Sequence, residues 1–256
     1  MKKKVLISVC MLLAALSATA QSYVRVHKVN GEVVKYETSE VSFIDFEEVK
    51  TVQPVDLGLP SGTLWSPVNL GAETEEEYGD YYAWAETETK ELFTTNNYAY
   101  YVDGNNWDVI DIGTTNIAGM EAYDAATANW GNGWQMPTKE QFEELMTCCT
   151  VEWEQVNETN GRRFTGSNGN SIFIPAAGRY YQKTKEEISS TILDNGNTYG
   201  YYWSATRYEY NNRNAETLYF GSGMMKTNYF GREGGHTIRP VKMPQDSGET
   251  VPTISD

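Results

Sequence analysis

Histidines and carboxylates are the side chains of this sequence whose types could do acid–base chemistry. The chain has two histidines, His27 and His236. A Ser-His-Asp triad could form only around His236, and no nucleophile-elbow pattern accompanies it, so we expect this histidine at the surface or at a strand end. Carboxylate pairs such as Glu86 with Glu88 arise by chance in a chain with 35 acidic residues. The sequence therefore predicts a protein that is not an enzyme, and a glycan-active enzyme is a remote alternative.

A loop at residues 96–111 gathers the oxygen ligands that a hard cation prefers. Asp103 and Asp108 are its candidate calcium ligands, among several asparagines. Trp107 interrupts the alternation of an EF-hand-type loop, and no glycine follows at the required position. A solvated loop without metal is therefore the favoured interpretation, and a calcium ion is the alternative.

The same loop carries rings that could contact a ligand. Aromatic residues are abundant in the chain, and many lie in or beside Gly/Asn-rich loops. Flat rings with polar tips can stack on sugars or anchor a protein interface. The candidate ligand-binding residues are Tyr98, Tyr100, Tyr101 and Trp107. Packing in the core is an equally open role for these four, and we expect it for Trp84 and Trp203.

Two cysteines, Cys148 and Cys149, follow the N-terminal segment. They are adjacent, so a disulfide between them would close a strained ring and constrain no loop. The pair lacks the spacer of a C-x-x-C motif. We expect buried thiols at a helix end, and their oxidation state stays open.

The N-terminus predicts export. Three lysines precede an apolar run that ends at Ala18-Thr19-Ala20, which is typical of a signal peptide over residues 1–20. The run is too short to span a bilayer, and residues 7–9 lack the small residues expected before a lipidated cysteine at Cys10. We expect a mature chain without transmembrane segment or lipid, in the periplasm, on the outer surface or secreted. Its net charge of −15 before processing disfavours nucleic acid as a partner.

Patterning predicts a short β leader at residues 21–53, a main domain at 54–243 and a disordered acidic tail at 244–256. The leader holds a hairpin around Asn30-Gly31 and a third strand at residues 41–46. In the main domain we expect helices over residues 120–130 and from Thr138, where Gln141 completes a capping box. Strands fill the rest, with turns at Asn160-Gly161 and Asn168-Gly169.

Six segments of the main domain follow one another in a recognisable order. They are residues 55–65 (VDLGLPSGTLW), 78–84 (YGDYYAW), 134–138 (WQMPT), 168–178 (NGNSIFIPAAG), 202–204 (YWS) and 238–241 (IRPV). Together they resemble the Fibrobacter succinogenes major paralogous domain family, which occurs in exported proteins of Bacteroidetes and their relatives. Residues 43–46 (FIDF) also resemble a leader common in exported Bacteroides proteins.

The resemblance implies an α+β, C-type-lectin-like domain with two helices beside antiparallel sheets, preceded by the small β-hairpin unit. It brings no established activity. The Glu-Pro-Asn or Gln-Pro-Asp triplet of sugar-binding lectins is absent, so calcium-dependent binding at the usual lectin site is not implied. A neighbouring fold, that of formylglycine-generating enzymes, depends on active-site cysteines, whereas the thiols here lie at a predicted helix end.

The sequence thus predicts a non-catalytic, exported recognition module that binds a glycan or a surface protein through aromatic and Asn-rich loops. The alternative is a structural cell-envelope or adhesin component without glycan binding. Ligand identity and oligomeric state are not encoded in any motif.

Overall fold

The chain divides into two units, Met1–Val49 and Lys50–Asp256. The structure, a computed structural model, describes residues 23–27, 33–39, 52–102, 111–182 and 192–244. In the first unit, β1 (Tyr23–His27) pairs antiparallel with β2 (Val33–Glu37). The predicted leader hairpin is confirmed in its two strands. Its Asn-Gly turn, the third strand, the signal peptide and the tail from residue 245 onward lie outside the described residues.

The second unit combines short strands with two helices. Its elements in chain order are β3 (Val55–Asp56), β4 (Leu64–Trp65), a 3-10 turn (Thr95–Asn97), α1 (Ala125–Trp130), β5 (Trp134–Gln135), α2 (Lys139–Cys148), β6 (Thr150–Val156), β7 (Thr159–Thr165), β8 (Ser171–Pro175), β9 (Arg179–Tyr181), β10 (Ile192–Asp194), β11 (Gly200–Arg207), β12 (Asn214–Gly221), β13 (Met224–Gly231) and β14 (Val241–Lys242). The expected α+β class is confirmed. No helix in the described ranges has the length and apolar character that crossing a membrane requires.

Four sheets arise from these strands, and every strand pair within them is antiparallel. The strand orders are β3-β4-β14-β5, β6-β7-β8, β9-β10 and β11-β12-β13. The last sheet shares a buried cluster with α2 and the β6–β8 meander, through Phe142, Phe164 and Phe220. A second cluster surrounds Trp84 and Trp203.

The first helix is shorter than its sequence pattern predicts. The expectation of a helix over residues 120–130 is wrong for residues 120–124, because Asp124 is the N-cap. Its Oδ1 accepts hydrogen bonds from the backbone N–H of Ala126 (2.9 Å) and Thr127 (3.0 Å). A residue in this role has extended backbone, so the helix cannot run through it.

The second helix begins as predicted. Thr138 Oγ1 accepts from the Gln141 N–H (3.3 Å), and the Gln141 side chain accepts from the Thr138 N–H (2.8 Å). This confirms the capping box. Phe142 and Leu145 are fully buried, so the expected apolar stripe faces the core.

The β6–β8 meander is confirmed, but its first turn is not at Asn160-Gly161. That pair lies inside β7, and the chain reverses at Asn157 and Glu158, whose φ angles are 45° and 69°. Gly161 is a glycine for another reason. A Cβ there would collide with the ring of Phe173 and the carbonyl of Ile174 on the neighbouring strand.

Buried polar groups of Trp84, Trp203 and Arg239 hydrogen-bond backbone carbonyls in the core. Trp84 and Trp203 are fully buried as expected, and their indole N–H groups donate to the carbonyls of Ser204 and Tyr82 at 2.9 and 2.8 Å. Arg239 is also fully buried. Its guanidinium donates to the carbonyls of Ser66 (3.1 Å) and Phe173 (2.8 Å), which joins two distant segments.

Candidate functional site

Three clefts border residues 86–102, which we call the aromatic loop. Its central ring, Tyr98, is 4% exposed, and its hydroxyl donates to the carbonyl of Trp84 at 2.8 Å. The hydroxyl of Tyr100 donates to the carbonyl of Ala85 at 3.2 Å. The two rings meet edge to face at 5.5 Å. These rings therefore fasten the loop to the core.

A buried cation lies beneath the loop. The guanidinium of Arg232 is 4.6 Å from the ring centre of Trp84, 5.5 Å from that of Tyr98 and 5.7 Å from that of Tyr100. One of its nitrogens donates to the carbonyl of Asn212 at 2.8 Å. Burial lowers the pKa of Arg232, and the surrounding ring faces compensate part of the desolvation. The residue after β13 thus packs its guanidinium against two rings of the aromatic loop.

Lys90 connects the start of the aromatic loop with its middle. Lys90 forms an ion pair with Glu86 (2.7 Å) and donates to the carbonyl of Asn97 (2.9 Å). Its ammonium also lies 5.7 Å from the ring centre of Phe93. Burial is the main reason that the pKa of Lys90 is lowered.

One of these clefts is lined by aromatic and charged residues. It has a volume of about 460 Å³. Its lining residues are Gly79, Asp80, Tyr81, Thr89, Lys90, Glu91, Phe93 and Tyr180. Tyr180 stacks on Phe93 at 5.7 Å and meets Tyr81 edge to face at 4.8 Å. Three aromatic residues, two acidic residues and one lysine therefore line a single space, which we call the ring cleft.

Two smaller clefts flank the same loop. One, of about 370 Å³, lies on the side of Glu86, Glu88 and Tyr100. The other, of about 290 Å³, is lined by Thr95 and Tyr98 of the loop and by Asn211, Arg213, Asn214, Gly231 and Glu233. Desolvation raises the pKa of Glu233, although Arg179 and Arg232 oppose this effect. Both clefts offer hydrogen-bond donors and acceptors of the kind that orient a polar ligand.

The chain's similarity to known proteins supplies no further guide to this surface. No family model, no curated protein and no solved structure matches the chain. The residues and their geometry therefore carry the whole functional argument.

Of the four predicted binding residues, the structure describes three, and all three pack in the interior of the aromatic loop. Tyr98 is buried, and Tyr100 and Tyr101 are half-buried in the cluster that contains Phe93. The sequence left both packing and ligand contact open for these rings, and their contacts indicate packing. Trp107 and the candidate calcium ligands Asp103 and Asp108 lie outside the described residues. Within the described ranges, no three His, Cys, Asp or Glu side chains are grouped to hold a metal.

His236 is not at the surface, so that alternative of the expectation is wrong, and the residue lies in an isolated antiparallel bridge with Tyr82. It is fully buried and stacks on Trp203 at a ring-centre distance of 3.9 Å. Among the described residues neither ring nitrogen has a hydrogen-bond partner. Because His236 is fully buried and lines none of the three clefts, it cannot activate a nucleophile there.

Sequence reasoning missed Lys90, Phe93 and Glu233 as lining residues. Lys90 and Phe93 precede the Asn-rich stretch on which the prediction rested, so extending the loop toward its start would have included them. Glu233 had no such signal, since its neighbours are joined to a distant segment by backbone hydrogen bonds, from the Trp84 N–H to the Arg232 carbonyl (2.8 Å) and from the Tyr82 N–H to the His236 carbonyl (2.9 Å).

Proposed function

We propose that the protein is a non-catalytic, exported recognition module that binds a neutral glycan in the ring cleft. The observation that carries the proposal is that the half-buried rings of Tyr81 and Tyr180 line one cleft with Asp80 and Lys90, while the buried ring of Phe93 packs against Tyr180 and supports it. Ring faces carry negative charge density and attract the C–H bonds on the face of a pyranose. Carboxylates and an ammonium can hydrogen-bond sugar hydroxyls and fix the orientation.

Charge supports a neutral ligand over an anionic one. The chain carries a net charge of −15. Asp80 and Glu91 in the ring cleft, with Glu86 and Glu88 beside it, add local negative charge. Sulfated or phosphorylated ligands would meet repulsion there.

The arrangement of the second unit also supports a C-type-lectin-like domain as part of this proposal. Two helices accompany four antiparallel sheets, and an irregular loop region provides the concave surface. Export, through removal of residues 1–20, would place this surface in the periplasm, on the cell exterior or in the medium.

A glycan array tests the proposal. The chain from Gln21 to Asp256 is screened against neutral, sialylated and sulfated glycans, with calcium and with chelator. We expect binding confined to neutral glycans. Binding that needs calcium would implicate Asp103 and Asp108. Silence on the array in both conditions would favour the structural or adhesin role instead, and release of sugar from a bound glycan would favour an enzyme.

Two variants locate the binding surface. Tyr180→Ala removes a wall of the ring cleft, and we expect affinity to fall about tenfold, since a stacked ring contributes about 0.5–1.5 kcal/mol beyond its buried area. Tyr180→Phe keeps the ring and should keep the affinity. Thermal unfolding of both variants distinguishes lost binding from lost folding.

A further inference from the structure

Three tyrosines that are not part of the ring cleft lining form a second aromatic surface. Tyr208 and Tyr229 stack at a ring-centre distance of 4.0 Å and an angle of 22°, and Tyr208 meets Tyr210 at 5.4 Å and 60°. Tyr210 is 77% exposed and Tyr229 is 45% exposed. We call this set the tyrosine platform. Tyr210 and Tyr229 leave much of their ring surface in solvent, where a ligand can reach it.

The backbone around the platform is well ordered by local bonds. Tyr229 lies on β13 directly opposite Glu216 on β12. The Tyr208 N–H donates to the Asn214 carbonyl at 3.0 Å, and the Asn211 side chain accepts from two N–H groups of the same turn, at 3.1 Å each. The turn that carries Tyr210 is therefore pre-organised, which lowers the entropy lost on binding.

The side chains at the rim of the platform are polar. Lys139 pairs with the buried Glu216 at 2.9 Å, and 29% of the Lys139 side chain stays exposed. Glu209 hydrogen-bonds the hydroxyl of Tyr210, which raises the pKa of that tyrosine. The rim thus presents donors and acceptors around ring faces, and the ammonium is already balanced by a carboxylate.

We propose that the tyrosine platform is a second carbohydrate site, which takes a neutral oligosaccharide by stacking a pyranose face on Tyr210. Neutrality follows from the paired rim charges and from the net charge of −15. The C–H face of a sugar matches the negative ring face, and Lys139 and Glu209 offer hydrogen bonds to its hydroxyls. This site is independent of the ring cleft, so a chain with both sites could hold two sugars or two points on one polysaccharide.

NMR spectroscopy of the chain from Gln21 to Asp256 with labelled tyrosine rings tests the inference. The probes are cellohexaose, xylohexaose, mannohexaose, maltohexaose and chitohexaose. We expect at least one of them to shift the signals of Tyr210 and Tyr229, which are assigned with Tyr→Phe variants. Tyr210→Ala should weaken that response about tenfold, whereas Tyr210→Phe should preserve it.

Controls separate the platform from the ring cleft and from general stickiness. Tyr36→Ala removes a tyrosine that is 46% exposed on β2 and should change nothing. Tyr180→Ala should leave the platform response intact. No shift of the platform signals with any probe would overturn the inference, as would a response that survives Tyr210→Ala unchanged. If Tyr180→Ala alone abolishes binding, the ring cleft stands and the platform falls.

Discussion

Replacing His236 with phenylalanine should make the fold less sensitive to acid. The imidazole is fully buried, packed on Trp203 and close to the rings of Tyr201 and Phe230, at 5.6 and 5.4 Å. Burial holds the pKa of His236 well below its ordinary value, and the positive charge of Arg179 adds to the effect. In the folded protein this histidine is therefore neutral.

The size of the effect follows from proton linkage. In the unfolded chain the histidine has its ordinary pKa, about 6.5, so it binds a proton below that pH while the folded form does not. Its contribution to stability is fully present above about pH 6.5 and is lost as the pH falls toward the folded pKa. Between about pH 7.5 and about pH 5.5 the wild type should lose about 1.4 kcal/mol through this residue alone.

Urea unfolding at both pH values measures the effect. The free energy of unfolding of the wild type should fall by about 1.4 kcal/mol more than that of His236→Phe. A second variant, His236→Gln, keeps a polar side chain but does not titrate. It should be less stable at both pH values and should show the reduced pH dependence of the phenylalanine variant. Equal pH dependence in all three proteins would refute a buried, neutral His236.

Three further changes probe the scaffold. Asp124→Ala leaves four backbone N–H groups without their acceptor, so the free energy of unfolding should fall by about 3–5 kcal/mol. The control Asp111→Ala, at an exposed carboxylate, should cost less than about 1 kcal/mol. Urea unfolding compares the two variants, and equal losses would contradict the capping role. Arg239→Met leaves two buried carbonyls without a hydrogen-bond donor, so the free energy of unfolding should fall by about 2–4 kcal/mol in the same assay. An unchanged urea midpoint would show that these two hydrogen bonds do not stabilise the fold. Cys148 is exposed and Cys149 is half-buried, so the expectation of two buried thiols is wrong. Burial raises the pKa of the Cys149 thiol to about 11, so iodoacetamide at about pH 8 should alkylate Cys148 first. Peptide mass spectrometry measures this order, and equal labelling would contradict it.

Local signals in the sequence predicted much of the secondary structure. The Thr138 capping box fixed the start of α2 because both of its partners lie within one turn of the chain. The burial of Trp84 and Trp203 was also predicted. Where two local signals competed, one was misread. Alanines after residue 120 favoured a longer α1, but the Asp124 cap decided where the helix begins.

The candidate site depends on contacts that no local pattern encodes. The sequence places Tyr98 in a loop, but its ring is buried in the structure. The guanidinium of Arg232, far along the chain, packs 5.5 Å from the centre of that ring. The ring cleft likewise needs Tyr180 from β9 to face Phe93. Such contacts join distant parts of the chain. The sequence therefore predicted a binding loop at residues 96–111, whereas the ring cleft is lined by residues 79–81, 89–91, Phe93 and Tyr180.

The most direct test of the recognition proposal is a calorimetric titration of a neutral oligosaccharide found on the array. Wild type, Tyr180→Phe and Tyr180→Ala are compared at one pH and one salt concentration. We expect saturable binding with one affinity for the first two proteins and about tenfold weaker binding for Tyr180→Ala. Equal affinity in all three proteins would contradict a glycan site in the ring cleft.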